Sequence, residues 1–275
     1  MGSDVRLVVS DIDDTLIHRG TSRLPERTAK AIGRFVASGR FFAPVTGRIR
    51  DDAVRMFTGC PVGCATGAFV NGQMIYVDGR LAHQESVSSE RLEAVAAFLD
   101  RHTPAANLLL YQGSDIVALT GRPSRLEGYD TAENRRRSGC VAHIGSVTPE
   151  KANIQCSCRP EEVPHLVARL SERFEDIDFV QPGAVSEIDV IPKGWSKAKG
   201  VQVLADRLGV ALSEVVAVGD SDNDIAMLAY VPASYAVSSG TLAARRTAAH
   251  CLPSVGEEPV AMVLEAVLAG KMLSF

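Results

Sequence analysis

Two short apolar runs, each closed by a cluster of aspartates, constrain this chain more than anything else in it. Val5 to Val9 is mostly β-branched and bounded by polar residues, the pattern of a buried strand, and it runs into Asp11-Ile12-Asp13-Asp14-Thr15-Leu16. Near the other end, Glu214-Val215-Val216-Ala217-Val218 is a second such run, followed by Gly219-Asp220-Ser221-Asp222-Asn223-Asp224. The aspartates therefore fall at the carboxyl ends of strands, where open α/β sheets keep their ligand crevice. Two acidic clusters gathered there repel each other unless a cation lies between them. Oxygen donors of this kind suit a hard divalent ion, and Mg2+ is the expected cofactor.

The segments between these runs alternate. Pro25 to Ser38 carries Ala29, Ile32, Phe35 and Val36 at helical spacing and stops at Gly39. Phe41 to Val45 reads as a strand ending in Thr46-Gly47-Arg48, and Asp51-Asp52 suits the first turn of the next helix. Strand followed by helix, repeated, argues for a parallel sheet with right-handed crossovers. The rhythm changes after Gly72, where an Asp78-Gly79 turn predicts a hairpin running to about Val87. Helices over Ser89–His102 and Glu161–Phe174 then flank strand-like segments at Asn107–Tyr111, Ile116–Thr120 and Ala152–Cys158. Ile177–Gln181 and Val185–Ile191 form a further predicted hairpin. Alternation returns with a helix over Ser196–Leu208, the second acidic strand, a helix from Asp222, a weaker strand at Tyr235–Val237 and helices from Leu242 and Glu258. The expected fold class is α/β, with a Rossmann-like parallel-sheet core formed by residues 1–80 and 187–275. An α+β domain, residues 81–186, is inserted into it, within the normal size of a domain.

A chain of 275 residues, 46% hydrophobic and 23% charged, has enough apolar material for such cores. Its net charge of −4 gives no electrostatic reason to expect nucleic-acid or anionic-membrane partners. With no membrane-length apolar run and no signal-like amino terminus, a cytoplasmic protein is expected, as a monomer or homodimer. Cys60, Cys64, Cys140, Cys156, Cys158 and Cys251 lack His-rich company and read as small apolar fillers. Gly121 to Gly139, which includes Arg135-Arg136-Arg137, reads as an exposed, solvated segment.

Asp-x-Asp-x-Thr after a strand, Thr-Gly-Arg after the next, a lysine before a helix and Gly-Asp-x-x-x-Asp after a later strand occur in that order. In this the chain resembles the haloacid dehalogenase-like (HAD) phosphohydrolase superfamily, closest to its Cof-like branch with a large α+β cap. The resemblance spans essentially the whole chain. It implies a Mg2+-dependent phosphatase acting on a small phosphorylated metabolite, such as a sugar phosphate, through an aspartyl-phosphate intermediate. Asp11 would be the nucleophile and Asp13 the general acid, then base. Asp220, Asp11 and the Asp13 carbonyl would hold the metal, with Asp224 ligating or orienting a bound water. Thr46, the amide of Gly47, and Asn223 would bind phosphate. Lys197 would screen Asp11 from the substrate; Lys193 and Lys199 compete for that place, and Lys197 is preferred because it matches the family's motif.

Asp14 and Asp222 read as solvated or capping residues, Arg48 as an ion-pair partner, and Trp195 and His18 as structural. Cof-like chains usually carry Asn-Gly-Ala shortly after the second motif, where this one has Thr66-Gly67-Ala68, with Asn71-Gly72 a little further on. If the family's Asn holds the phosphate loop, Thr66 supplies only part of that bonding. The cap is expected to close over the core and exclude water, using residues from Asn153–Ser157 and Gln181–Ser186. Two other readings are open: a sugar-phosphate phosphomutase, and a non-enzymatic receiver-like phospho-acceptor.

Overall fold

The β-branched run near the amino end forms β1 (Leu7–Ser10), with every side chain buried. It leads through the first acidic loop to α1 (Glu26–Ala37), which buries Thr28, Ala31, Ile32 and Phe35 at the spacing of one helical face. Gly39 takes the left-handed φ of 83° that turns the chain into β2 (Phe41–Pro44). After α2 (Arg50–Met56) come three short strands, β3 (Gly67–Phe69), β4 (Met74–Val77) and β5 (Arg80–Gln84), which form a small antiparallel sheet. The Asp78-Gly79 turn joins β4 to β5, both residues at positive φ (49° and 77°).

The computed structural model describes residues 5–103, 106–113, 115–119, 138–140, 144, 149–182 and 185–271. Arg135-Arg136-Arg137 and most of the Gly121–Gly139 segment lie outside the described residues. The chain divides into two units, one of Met1–Gln84 with Trp195–Phe275, the other of Glu85–Gly194.

In the second unit, α3 (Ser89–His102) is followed by β6 (Ala106–Gln112), β7 (Asp115–Ala118), β8 (Ser138–Cys140) and β9 (Lys151–Cys156), then by α4 (Val163–Arg173), β10 (Ile177–Val180) and β11 (Glu187–Pro192). Its sheet has the order β10-β11-β9-β6-β7-β8 and is antiparallel except for the β7–β8 pair. The predicted stripe Leu92, Val95, Ala96 and Leu99 of α3 and Leu166 and Leu170 of α4 are buried in one core with Leu108, Leu110, Ile154, Ile188 and Val190. Period-two burial on the strands and helical spacing on the helices thus meet on one face.

The first unit resumes with α5 (Lys197–Leu208), stopped by Gly209 at φ 61°, then β12 (Val215–Gly219), α6 (Ile225–Tyr230), β13 (Ala233–Val237), α7 (Leu242–Thr247), β14 (His250–Leu252) and α8 (Pro259–Leu268). Its main sheet is parallel throughout, in the order β14-β13-β12-β1-β2. This is the expected α/β class, a parallel core with an inserted α+β unit. Strands β3 and β14, only three residues each, are too short for periodicity to reveal. Among the described residues, no helix is long and apolar enough to cross a membrane. Cys60, Cys64 and Cys156 are buried, and burial pushes the thiols of Cys64 and Cys156 up to about 12, which leaves them inert fillers.

Helix α5 lies against the turn before β4 through two glycines. A Cβ on Gly200 would stand 2.5 Å from the Cα of Gly72, which is backbone and has no rotamer to yield. Alanine in a helix interior normally gains about 1 kcal/mol over glycine. Here Gly200→Ala is expected to destabilise instead, by about 1–3 kcal/mol, read as a lowered urea midpoint. An unchanged or raised midpoint would contradict this close approach.

Candidate active site

Three loops meet because three strands are neighbours. In the parallel register Ser10 lies opposite Val218 on β12 and Pro44 on β2, so the loops after all three strands emerge at one edge. Backbone bonds continue the ladder into them: Asp11 N–H donates to Val218 O (3.0 Å), and Val45 N–H to Ser10 O (2.8 Å). Asp11, Thr46 and Asp220 are all buried there.

Lys197, at the start of α5, is the charge that binds the loops together. Its side chain is 0% exposed, with Nζ 2.8 Å from Asp11 Oδ1 and 2.6 Å from Asp224 Oδ1. The competing lysines go elsewhere: Lys193 pairs with Asp178 and Lys199 donates to Gln202, both on exposed surface. Carboxylate oxygens of Asp11, Asp220 and Asp224 lie within 4.8 Å of one another. One ammonium thus faces three carboxylates. Burial pushes the Asp11 carboxyl up to about 8; Lys197 opposes this, while Asp224 and Asp220 reinforce it. Burial and then Asp224 likewise raise Asp220, to about 6. Burial works against the Lys197 ammonium too, but Asp11 and Asp224 more than offset it, and its pKa lies above the usual lysine value. An all-carboxylate donor set with a charge excess of this sort fits a hard divalent cation.

The other carboxylates are held individually. Asp220 Oδ1 accepts from Thr15 Oγ1 at 2.6 Å, which gives the threonine of the first motif a definite task. Asp224 Oδ2 accepts the N–H groups of Asp220 and Ser221, both at 3.0 Å, so with Lys197 both its oxygens are engaged. Asp13 sits under a two-pronged guanidinium: Arg48 Nε and an Arg48 terminal nitrogen each lie 2.7 Å from one Asp13 oxygen. Asp222 accepts from Thr241, Asp14 pairs with Arg19, and His18 is exposed. Trp195 stacks on His83, ring centroids 5.4 Å apart.

Of the residues expected to bind phosphate, Thr46 Oγ1 accepts from the Arg48 N–H (3.2 Å), and Asn223 Oδ1 accepts from Ser221 Oγ (2.8 Å). The expectation for Thr66 needs correction. Thr66 Oγ1 accepts from Asp78 N–H (3.1 Å) and so serves the β4–β5 hairpin. Asn71 is the asparagine beside the turn after β2, its Oδ1 3.2 Å from where a Gly47 Cβ would stand and 3.5 Å from Asn223 Nδ2. The structure carries Asp11, Asp13, Thr46, Gly47, Asp220, Asn223 and Asp224 on the loops after β1, β2 and β12, with Lys197 reaching them from the start of α5 and Thr15, Arg48 and Asn71 beside them. In the sequence Thr15 stands in the Asp-x-Asp-x-Thr motif with no role of its own, and Asn71 only as an Asn-Gly pair a little beyond Thr66-Gly67-Ala68.

Residues 8–264 match the family of haloacid dehalogenase-like hydrolases, and the chain belongs to it. Within that family it is a phosphatase. It is 31% identical over 178 residues to a phosphoglycolate phosphatase from Aeropyrum pernix, covering 53% of this chain and 70% of that one. A second relative is the chloroplastic endoribonuclease YBEY of Arabidopsis thaliana, 25% identical over 247 residues; the match takes in 85% of this chain but only 41% of that protein's length. A HAD/COF-like hydrolase from Plasmodium vivax shares the fold, with a TM-score of 0.83 over 98% of both chains at 21% identity.

The raised carboxyls set the sign of a pH effect. Asp11 and Asp220 move from 3.8 in the unfolded chain to about 8 and about 6, so the folded protein holds extra protons between those values. Their favourable contribution is full below about pH 4 and is lost as pH rises through about 6 and 8. In chelator, the urea midpoint is therefore expected to fall over this range, and a divalent cation should flatten the fall. Equal slopes with and without the cation would contradict the charge excess.

Proposed function

We propose that this phosphatase hydrolyses a small phosphorylated metabolite, a sugar phosphate or a related polyol or acid phosphate, with Mg2+ as cofactor and Asp11 as nucleophile. The observation that carries the reading is the buried Asp11–Lys197 pair beside Asp220. A phosphate monoester dianion repels an attacking carboxylate, and a desolvated ammonium 2.8 Å from Asp11 Oδ1 lowers that repulsion where the two must meet. The relative named as a phosphoglycolate phosphatase supports a small phosphorylated substrate.

Asp11 and Asp220, with the Asp13 carbonyl, would hold the ion, which when bound would neutralise phosphoryl charge and restore Asp11 to its ionised form. Of the two roles expected of Asp224, orienting suits it better, because its oxygens already accept from Lys197, Asp220 and Ser221. Thr46 Oγ1, the Gly47 amide, Asn223 and Lys197 cradle the phosphoryl oxygens. Asp11 attacks phosphorus, the ester oxygen departs with a proton from Asp13, and an aspartyl-phosphate forms. Water then attacks phosphorus as Asp13 takes its proton, and inorganic phosphate and free Asp11 result. Arg48 occupies both Asp13 oxygens, so the acid step requires that pair to part.

Purified protein is expected to release inorganic phosphate from members of a panel of phosphorylated metabolites when Mg2+ is present and to stop when it is chelated. Asp11→Asn should lower turnover by about a thousandfold or more. An isomeric sugar phosphate as the product would point to a mutase, and retained turnover in Asp11→Asn would remove the nucleophile assignment.

A further inference from the structure

We infer that Asn71 is a positioning residue of the phosphate site, which ties the turn after β2 to the loop after β12. The inference rests on the phosphatase reading of this site and deepens it. Three consecutive residues, Val70, Asn71 and Gly72, have positive φ of 53°, 53° and 89°. Glycine accepts this and asparagine tolerates it, but a β-branched valine does not do so readily. The segment is nevertheless buried, with Val70 1% and Asn71 3% exposed. Strain of this kind persists only where the surroundings over-determine it, and it gathers at functional sites.

What over-determines it is on both sides. Val70 N–H donates to Arg48 O (3.0 Å) and Asn71 N–H to Thr46 O (2.8 Å), while Thr46 N–H donates back to Ala68 O (2.9 Å). These bonds lay the strained segment along the turn that carries Thr46 and Gly47. Behind it, Gly72 packs on the backbone of α5, where a Cβ would meet Gly200 Cα at 2.8 Å. Held between the two, the Asn71 side chain faces Gly47, where any added Cβ would stand 3.2 Å from Oδ1. The same Oδ1 makes a long contact of 3.5 Å with Asn223 Nδ2, and Asn223 is fixed by Ser221 at 2.8 Å. Asn71 thus joins the two arms expected to grip the phosphoryl group, Gly47 on one and Asn223 on the other. A left-handed asparagine puts an amide there that a residue in ordinary extended backbone would aim elsewhere.

The test separates folding from phosphate binding. Asn71→Gly relieves the left-handed strain while it deletes the amide, and Asn71→Asp keeps the shape but replaces the amide with a charge. The full-length variants are compared with wild type for urea midpoint, for kcat/KM with an active ester, and for competitive inhibition by inorganic phosphate. The expected result is a midpoint for Asn71→Gly close to that of wild type, because relief of the left-handed backbone opposes the lost amide and the added freedom of the unfolded chain. Alongside it, inhibition by phosphate should weaken about tenfold or more and kcat/KM should fall by on the order of 10- to 100-fold. Asn71→Asp, which sets a further carboxylate in a buried site already rich in them, should lower the midpoint and bind inorganic phosphate more weakly still. Phosphate inhibition and kcat/KM within about twofold of wild type in either variant would overturn the inference, as would losses in Asn71→Gly that merely follow a fallen midpoint. A wild-type protein that neither cleaves esters nor binds inorganic phosphate would bring down the phosphatase reading as well.

Discussion

The site depends on one buried charge. Lys197 reaches Asp11 and Asp224 from the start of α5, fully shielded from water, and without it three buried carboxylates would face one another across a few ångströms. Removing one partner of such a group leaves an uncompensated charge in a poorly screened interior, far worse than never having buried the pair. The ammonium and the carboxylates therefore hold each other in place, and the loops that carry them follow. Asp224 adds a second tie, because its free oxygen gathers the N–H groups of Asp220 and Ser221 into the same turn.

Adjacency of strands turns this local compensation into a site. Because β1 lies between β12 and β2 in a parallel sheet, Asp11, the residue after it, is delivered beside both the loop after β12 and the turn after β2. The chemistry of attack needs an acceptor oxygen, a screening cation and donors for the phosphoryl oxygens within one small volume. Parallel strand ends supply the acceptor oxygen and the donors, and Lys197 brings the cation in from α5. Gly72 and Gly200 add a constraint from behind, since their backbones approach too closely for any side chain and so fix α5, and Lys197 with it, relative to the turn before β4.

Much of this is legible in the sequence, for identifiable reasons. β-Branched runs closed by aspartates announce β1 and β12, and amphipathic spacing announces α1, α3, α4 and α5 with their stops. Lys197 is set apart from Lys193 and Lys199 in the sequence only by resemblance to a motif; in three dimensions the latter two turn to Asp178 and Gln202. Arg48 reads as an ion-pair partner, but that its partner is Asp13 depends on loop geometry that no spacing encodes. Thr66 and Asn71 illustrate the limit best. A motif comparison puts weight on Thr66, while the left-handed run Val70-Asn71-Gly72 moves the asparagine to the turn that carries Thr46 and Gly47, and backbone handedness at a valine is invisible in a string of letters. β3 and β14 escape for a simpler reason, being too short for any period to register.

The central claim is that Asp11, screened by Lys197, takes the phosphoryl group onto its own carboxylate. Rapid quench of the enzyme during turnover, followed by borohydride reduction and peptide mass spectrometry, tests it directly, because reduction converts an acyl phosphate of aspartate to homoserine. The account predicts homoserine at position 11 alone, appearing only when substrate is present. Reduction at Asp13 or Asp220, or sustained phosphate release with no reducible aspartate at any time, would contradict it.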